Sequence, residues 1–238
     1  MHGFTWLGWL SHDKIHHENI HIFTATLVVV FLAVAVLMAR RSLVKKGKDL
    51  VPSTQTGLGN IFEASVEGIL GLMEGIIGPD AKKYFPLIGG IFIYIFACNV
   101  VGLIRGFLPP TDNINTNAAI SVTVFVYYNV MGIRTHGVVN YLKHFLGPIL
   151  WLGPLVAVIE LIGHLVRPVS LSLRLFGNIT GDHLVLGIFS DLVPILVPVI
   201  FLALGLFVSF IQAFVFSLLS TIYIGLATAH EEHEVEHH

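Results

Sequence analysis

Charge is scarce in this chain. Its 13 basic and 15 acidic side chains amount to 12% of 238 residues, about half the roughly 25% usual in a soluble domain. With 55% apolar residues and a mean hydropathy of +0.82, a soluble globule is excluded. Long basic stripes are missing too, and the net charge is -2, which excludes a nucleic-acid binder held by neutralised phosphates. The single cysteine, Cys98, lies in an apolar run, so there is no intrachain disulfide framework. No basic region precedes the first apolar stretch, which is therefore expected to be kept as a span rather than cleaved as a signal. Without a fixed-period repeat or a low-complexity linker, residues 1–238 read as one polytopic membrane domain.

What the chain does have is five apolar stretches, set against the rule that about 20 residues cross a bilayer core. They run over about 19–39, 85–107, 118–133, 148–190 and 192–229. The first is rich in β-branched residues, but lipid demands that backbone groups be satisfied within the segment, so it is expected to be a helix. The last two are roughly twice the length one upright span needs. Each is either two spans or one steeply tilted helix. Between the first two stretches, residues 58–77 mix Ile61, Phe62, Ile69, Leu72, Met73 and Ile76 with Glu63, Glu67 and Glu74, which suits an amphipathic helix along the interface. Leu108, Pro109, Pro110, Thr111 and Asp112 carry the turn chemistry of an external hairpin.

Basic residues set the expected orientation. Arg40, Arg41, Lys45, Lys46 and Lys48 follow the first stretch, Lys82 and Lys83 precede the second, and Arg134 and Lys143 follow the third. Placing these in the cytoplasm leaves Lys14 and Arg105 for the other face. The N-terminus and residues 1–18 are then external, and residues 58–77 and the tail 230–238 cytoplasmic.

Ionisable groups in apolar sequence are the most informative feature, since an arginine at the bilayer centre costs about 2.5–3.5 kcal/mol on insertion scales and about 10–17 in simulations. At about 100° per residue, Glu160, His164, Arg167, Arg174, Asn178 and Asp182 fall within a sector of roughly 80°, with His183 pointing elsewhere. Glu160, His164 and Arg167 could satisfy one another near an interface. Arg174 differs: Leu173, Leu175 and Phe176 surround it, and no acid lies three or four residues away. No other span supplies a central acid, so its counter-ion is expected on another protein. The fifth stretch adds Ser209, Gln212, Ser217, Ser220, Thr221 and Tyr223, either as interhelical glue or as the lining of an aqueous path with Gln212 facing the Arg174 stripe.

At this point the residues resemble a known family. Ser170-Leu171-Ser172-Leu173-Arg174-Leu175-Phe176-Gly177-Asn178 is similar to the signature of the subunit a family of the F-type ATP synthase membrane sector. Lys83-Tyr84-Phe85-Pro86, Asn99-Val100-Val101-Gly102-Leu103, Pro109-Pro110-Thr111, Asn113-Ile114-Asn115-Thr116 and Gln212-Ala213-Phe214-Val215-Phe216 follow in that family's order, over roughly residues 58–226. The resemblance implies an all-α integral membrane fold with about five membrane helices plus an interfacial amphipathic helix. The last two helices, over 148–229, would be long, strongly tilted and carry the ion path. It implies a stator beside a c-ring proteolipid oligomer, with a peripheral stalk subunit b, other ATP synthase subunits and membrane lipids as partners. The expected location is a bacterial plasma membrane. Two offset half-channels would meet the ring on either side of Arg174, which holds each ring carboxylate ionised and blocks a leak. Asn178, Asp182, His183, Gln212 and Asp112 would serve proton entry, and Ser170 and Glu160 the exit. The subunit would not be catalytic alone and would need no cofactor or metal. One departure stands out: where many members carry Glu nine residues after the arginine this chain has His183, and Gly205 occupies a position that is often ionisable, so Asp182 is the candidate substitute.

Two other classes are open to the residues. His12, His16, His17 and His21, and His230, His233, His237 and His238, are similar to the histidine boxes of membrane di-metal oxygenases, since imidazoles at such spacings bind transition metals. An odd number of spans would put the two clusters on opposite faces, where they cannot share a centre. A secondary transporter with a midplane site is the third reading, and it would work without a ring.

Overall fold

The computed structural model describes residues 20–45, 58–104, 107, 109–144, 153–192 and 196–228, almost wholly helical and with no strand among them. The segment 1–18 expected to be external, the tail 230–238, Lys14, Lys46, Lys48, Arg105, His12, His16, His17 and the C-terminal histidines lie outside the described residues. The helices are α1 (Ile20–Lys45), α2 (Leu58–Ile77), α3 (Ala81–Gly102), α4 (Ile114–His136), α5 (Val138–His144), α6 (Gly153–Leu192) and α7 (Leu196–Thr228). Single helical turns occupy Gly78–Asp80 and Pro110–Asp112. Among the described residues five helical stretches are long and apolar enough to cross a membrane: His21–Met38, Val66–Gly102, Ile114–His136, Pro154–Phe189 and Val199–Thr228.

The two long apolar tracts are each one helix. At 1.5 Å per residue, the 40 residues of α6 span about 60 Å and the 33 of α7 about 50 Å, against a hydrocarbon core of about 30 Å. Helices of that length fit a bilayer only at a steep tilt, which closes the alternative of four shorter spans. Pro168 sits inside α6 without ending it. Lacking an N–H, it leaves the His164 carbonyl without its helical donor, while the Ser172 hydroxyl donates to the Pro168 carbonyl at 2.8 Å.

The amphipathic segment forms α2 over the expected residues. Glu67 and Glu74 are exposed, Met73 is buried, and Ile69, Leu70 and Ile77 pack on the core formed by α3 and α7. Gly78, with φ +79, separates α2 from α3, a left-handed backbone that side chains other than glycine adopt at a cost. A second such residue, Gly137 (φ +77), ends α4 and donates to the Ile133 carbonyl at 2.8 Å. It turns the chain into α5, a short helix that apolar length alone does not reveal.

α3, α4, α6 and α7 make the core. Ile88 and Ile95 of α3, Val124 and Tyr128 of α4, Leu171 and Leu175 of α6, and Ala213, Phe216 and Ile224 of α7 are buried together. Phe210 of α7 meets Phe92 and Phe96 of α3 edge-on, at centroid distances of 5.9 and 6.3 Å. α1 lies outside this group, against α3 and the Pro110–Asp112 turn. It buries Thr24 and Val28 and exposes Val29, Val30, Phe31 and Met38, a surface suited to lipid.

The second span stops at Gly102, short of the expected Phe107. A Cβ on Gly102 would stand 2.8 Å from Pro109 Cβ, so the returning hairpin closes directly on the end of α3. A polar knot fixes it there: Thr111 Oγ1 donates to Asn99 Oδ1 at 2.9 Å, and Asn117 Nδ2 donates to the Thr111 carbonyl at 2.8 Å. Asn113 caps α4 by accepting from the Asn115 N–H at 2.9 Å. Because Asn99, Thr111 and Asn117 are all buried, Thr111→Val should cost about 1–3 kcal/mol through the unsatisfied Asn99 oxygen. The melting temperature of the detergent-solubilised protein should fall, and an unchanged value contradicts this role.

Candidate functional site

Two polar groups lie along α6, one on each side of Arg174. Arg174 is half-buried, and among the described residues no carboxylate of the chain stands within 4.0 Å of its guanidinium. Behind it, Leu171 and Leu175 of α6 are buried with Ala213 and Phe216 of α7, so apolar atoms separate the two polar groups within the chain.

The first group lies toward the C-terminal end of α6. One turn past Arg174, Asn178 Nδ2 donates to Gln212 Oε1 of α7 at 2.6 Å, joining the two long helices by their polar faces. Gln212 is buried, and its Nε2 has no hydrogen-bond partner in the described protein. Beyond this pair a narrow cleft opens between α3, α6 and α7, its polar lining supplied by Asn99, Asp182 and Ser209. The Asn99 amide nitrogen is also buried without a protein partner, and such a group calls for water or another polar occupant. Asp112 accepts from Thr180 Oγ1 of α6 at 3.3 Å, which brings the hairpin acid to the same helix. The backbone of His183 lies in α6; its side chain is outside the described residues.

Gly205 also lines this cleft. A Cβ there would meet Leu103 Cδ2 at 2.6 Å, so the space an ionisable side chain would need is filled by Leu103. Asp182 supplies a carboxyl group to the same cleft from the facing helix.

The second group surrounds the N-terminal half of α6. His164 is only 7% exposed and its Nε2 lies 2.8 Å from Asn129 Oδ1 of α4. The Tyr141 hydroxyl of α5 donates to the same oxygen at 2.9 Å, and burial pushes that phenol above its ordinary pKa, which keeps it a donor. Arg167 places Nη1 3.4 Å from His164 Nδ1, Nη2 3.7 Å from Glu160 Oε1, and its guanidinium 5.1 Å from the centre of the Tyr223 ring. Glu160 is therefore paired with Arg167, seven residues on. Ser170 is exposed on α6 between this group and Arg174.

Helical periodicity placed Glu160, His164, Arg167, Arg174, Asn178 and Asp182 on one stripe, and packing divides that stripe. His164 turns into the core against α4, whereas Asn178 is exposed. Sequence reading missed Asn129 and Tyr141 as members of a polar group, and Asn99 as a cleft residue. Asn99 and Asn129 carried a signal, each as a polar residue in an apolar span; Tyr141 carried none. Among the described residues no group of three or more His, Cys, Asp or Glu side chains is placed to hold a metal ion.

Comparison with known proteins bears on the whole chain. A family model described as ATP synthase A chain matches residues 21–225. "ATP synthase subunit a" of Trichlorobacter lovleyi is 47% identical over 228 residues, 95% of each chain. The protein of that name from Bdellovibrio bacteriovorus is 43% identical over 217 residues, 91% of this chain and 95% of the relative. The one from Geobacter sulfurreducens is 48% identical over 206 residues, 86% of each.

Proposed function

This chain belongs to the ATP synthase A chain family, and we propose that it is the proton-translocating stator subunit of a rotary F-type ATP synthase in a bacterial inner membrane. Its partners are a ring of proteolipid c subunits, each bringing one carboxylate into the membrane, together with the peripheral stalk subunit b and the other subunits of the complex. The subunit is not catalytic by itself. The external N-terminus, the cytoplasmic α2 and the cytoplasmic C-terminus belong to the same proposal, supported by the distribution of Lys and Arg.

The observation that carries this reading is the lone guanidinium of Arg174 between two separated polar groups. On α6, Asp182 lies eight residues beyond Arg174, about 12 Å, and Glu160 lies 14 residues before it, about 21 Å. The cleft with Asn99, Asp182 and Ser209, continued by Asn178 and Gln212, forms the entry half-channel, and Asp112 and His183 are assigned to the same path. Glu160 and Ser170 line the exit half-channel on the other side.

A proton entering through the first half-channel neutralises a ring carboxylate, and the neutral acid can turn into lipid. A carboxylate arriving at Arg174 from the exit side is held ionised, because an adjacent cation favours the charged form. Guanidinium keeps its own proton, so it cannot relay a leak from one half-channel to the other. Each charge that crosses 100 mV supplies about 2.3 kcal/mol, which biases the direction of rotation.

Purification from mild detergent tests the assembly: the chain should leave the membrane bound to an oligomeric proteolipid, and recovery without one contradicts the reading. His183→Ala should slow proton entry. Loss of the imidazole should also change how the rate depends on external pH, because histidine is the side chain that ordinarily changes charge in the physiological range. An unchanged rate and profile would remove His183 from the path.

A further inference from the structure

Two arginines share one face of α6. Arg167 and Arg174 are seven residues apart, which turns the helix to within about 20° of its starting direction and advances it about 10 Å. A ring carboxylate passing α6 would meet both cations unless one were already held. The contacts around His164 show what holds Arg167.

Asn129 Nδ2 donates to the Phe125 carbonyl at 2.7 Å, which fixes its Oδ1 as the atom facing His164 Nε2. That oxygen can only accept, so Nε2 carries the hydrogen. His164 Nδ1 faces Arg167 Nη1 at 3.4 Å, and guanidinium can only donate, so Nδ1 presents its lone pair. The ring is also set edge-on between Phe125 and Tyr128, with both centroids at 5.2 Å, which fixes its plane. Arg167, drawn to Nδ1, then reaches Glu160 on one side and the Tyr223 ring on the other.

We propose that His164 is a positioning residue. Locked by Asn129 as the neutral tautomer with hydrogen on Nε2, it tethers Arg167 to Glu160 and Tyr223 and so leaves Arg174 the cation on this face that receives the ring carboxylate. The inference rests on the stator reading above. If His164 loses its polar atoms, Arg167 is released to compete for the ring acid, and rotation slows although the subunit stays folded.

Two substitutions separate this role from packing. His164→Phe keeps an aromatic ring between Phe125 and Tyr128 but has no donor or acceptor. His164→Gln gives up the ring but offers amide N–H donors and a carbonyl oxygen. In assembled complexes in inverted vesicles, the phenylalanine variant should lose about tenfold in proton-driven ATP synthesis at unchanged KM for ADP. That loss corresponds to about 1.4 kcal/mol of barrier. The glutamine variant should stay within about twofold of the native rate. A near-native phenylalanine variant, or a glutamine variant that falls as far, overturns the proposal. The tautomer can be read without any need for the phenylalanine variant to assemble. Nitrogen-15 resonances of labelled histidine in the native complex, assigned by their loss in His164→Gln, should show Nε2 protonated and Nδ1 bare. The opposite tautomer or an imidazolium would overturn the tether. Arg174→Ala run in parallel keeps the two ideas apart: retained synthesis there would sink the stator reading, whereas its loss beside a native His164→Phe would sink only the tether.

Discussion

Arg174→Ala should leave the complex assembled and abolish proton-driven ATP synthesis, a fall of about a hundredfold or more. The substitution removes a half-buried cation that makes no ion pair within the described chain, so folding loses little. On the proposed mechanism, function loses the attraction that keeps a ring carboxylate ionised and the barrier between half-channels, and each 1.4 kcal/mol so removed is a factor of ten in rate. A passive proton leak through the membrane sector is expected alongside. Synthesis near the native rate, measured in vesicles with matched amounts of complex, would remove Arg174 from the mechanism. Arg174→Lys should also fail, since a compact ammonium on a flexible stem lacks the planar fork and can surrender its proton.

Gly132→Val should prevent accumulation of the folded subunit. A Cβ at Gly132 would stand 2.5 Å from the Tyr141 ring and 2.9 Å from the Ala227 carbonyl oxygen. The ring could swing aside only by breaking the Tyr141 bond to Asn129, and the carbonyl is backbone of α7 and cannot move alone. Overpacking of a buried contact typically costs about 1–3 kcal/mol, and a branched side chain against backbone belongs at or beyond the upper end. The amount of subunit recovered in membranes should drop sharply, with Gly132→Ala intermediate. Native levels of the valine variant would show that α4, α5 and α7 do not meet as described.

Much of this architecture is legible in the sequence because lipid allows so few solutions. Apolar length identifies the spans, the alternation of Glu67 and Glu74 with apolar residues marks α2, and the Pro109-Pro110-Thr111-Asp112 run marks the hairpin. Apolar length cannot say whether 148–190 is one helix or two, since either satisfies the backbone; the structure gives the single helix Gly153–Leu192. Nor can it find where α3 ends, because Leu103 and Ile104 beyond Gly102 are still apolar, and Pro109 packs against Gly102 from the returning hairpin.

Site residues divide in the same way. Arg174 is conspicuous in sequence because its cost is local: a cation among leucines with no acid within a helical turn. The pairing of Asn178 with Gln212 and of His164 with Asn129 joins residues 34 and 35 positions apart, and periodicity within one helix contains nothing about what the neighbouring helix presents. For the same reason the stripe drawn on α6 put His164 with Asn178, although one packs against Asn129 of α4 and the other bonds Gln212 of α7.

A structure of the intact complex is the most direct test of the central claim. In it the Arg174 guanidinium should lie within about 4–6 Å of a carboxylate carried by a ring subunit, between one water-filled path reaching Asp182 and another reaching Glu160. A guanidinium paired with an acid of its own chain, or facing bulk water away from any proteolipid ring, would contradict it.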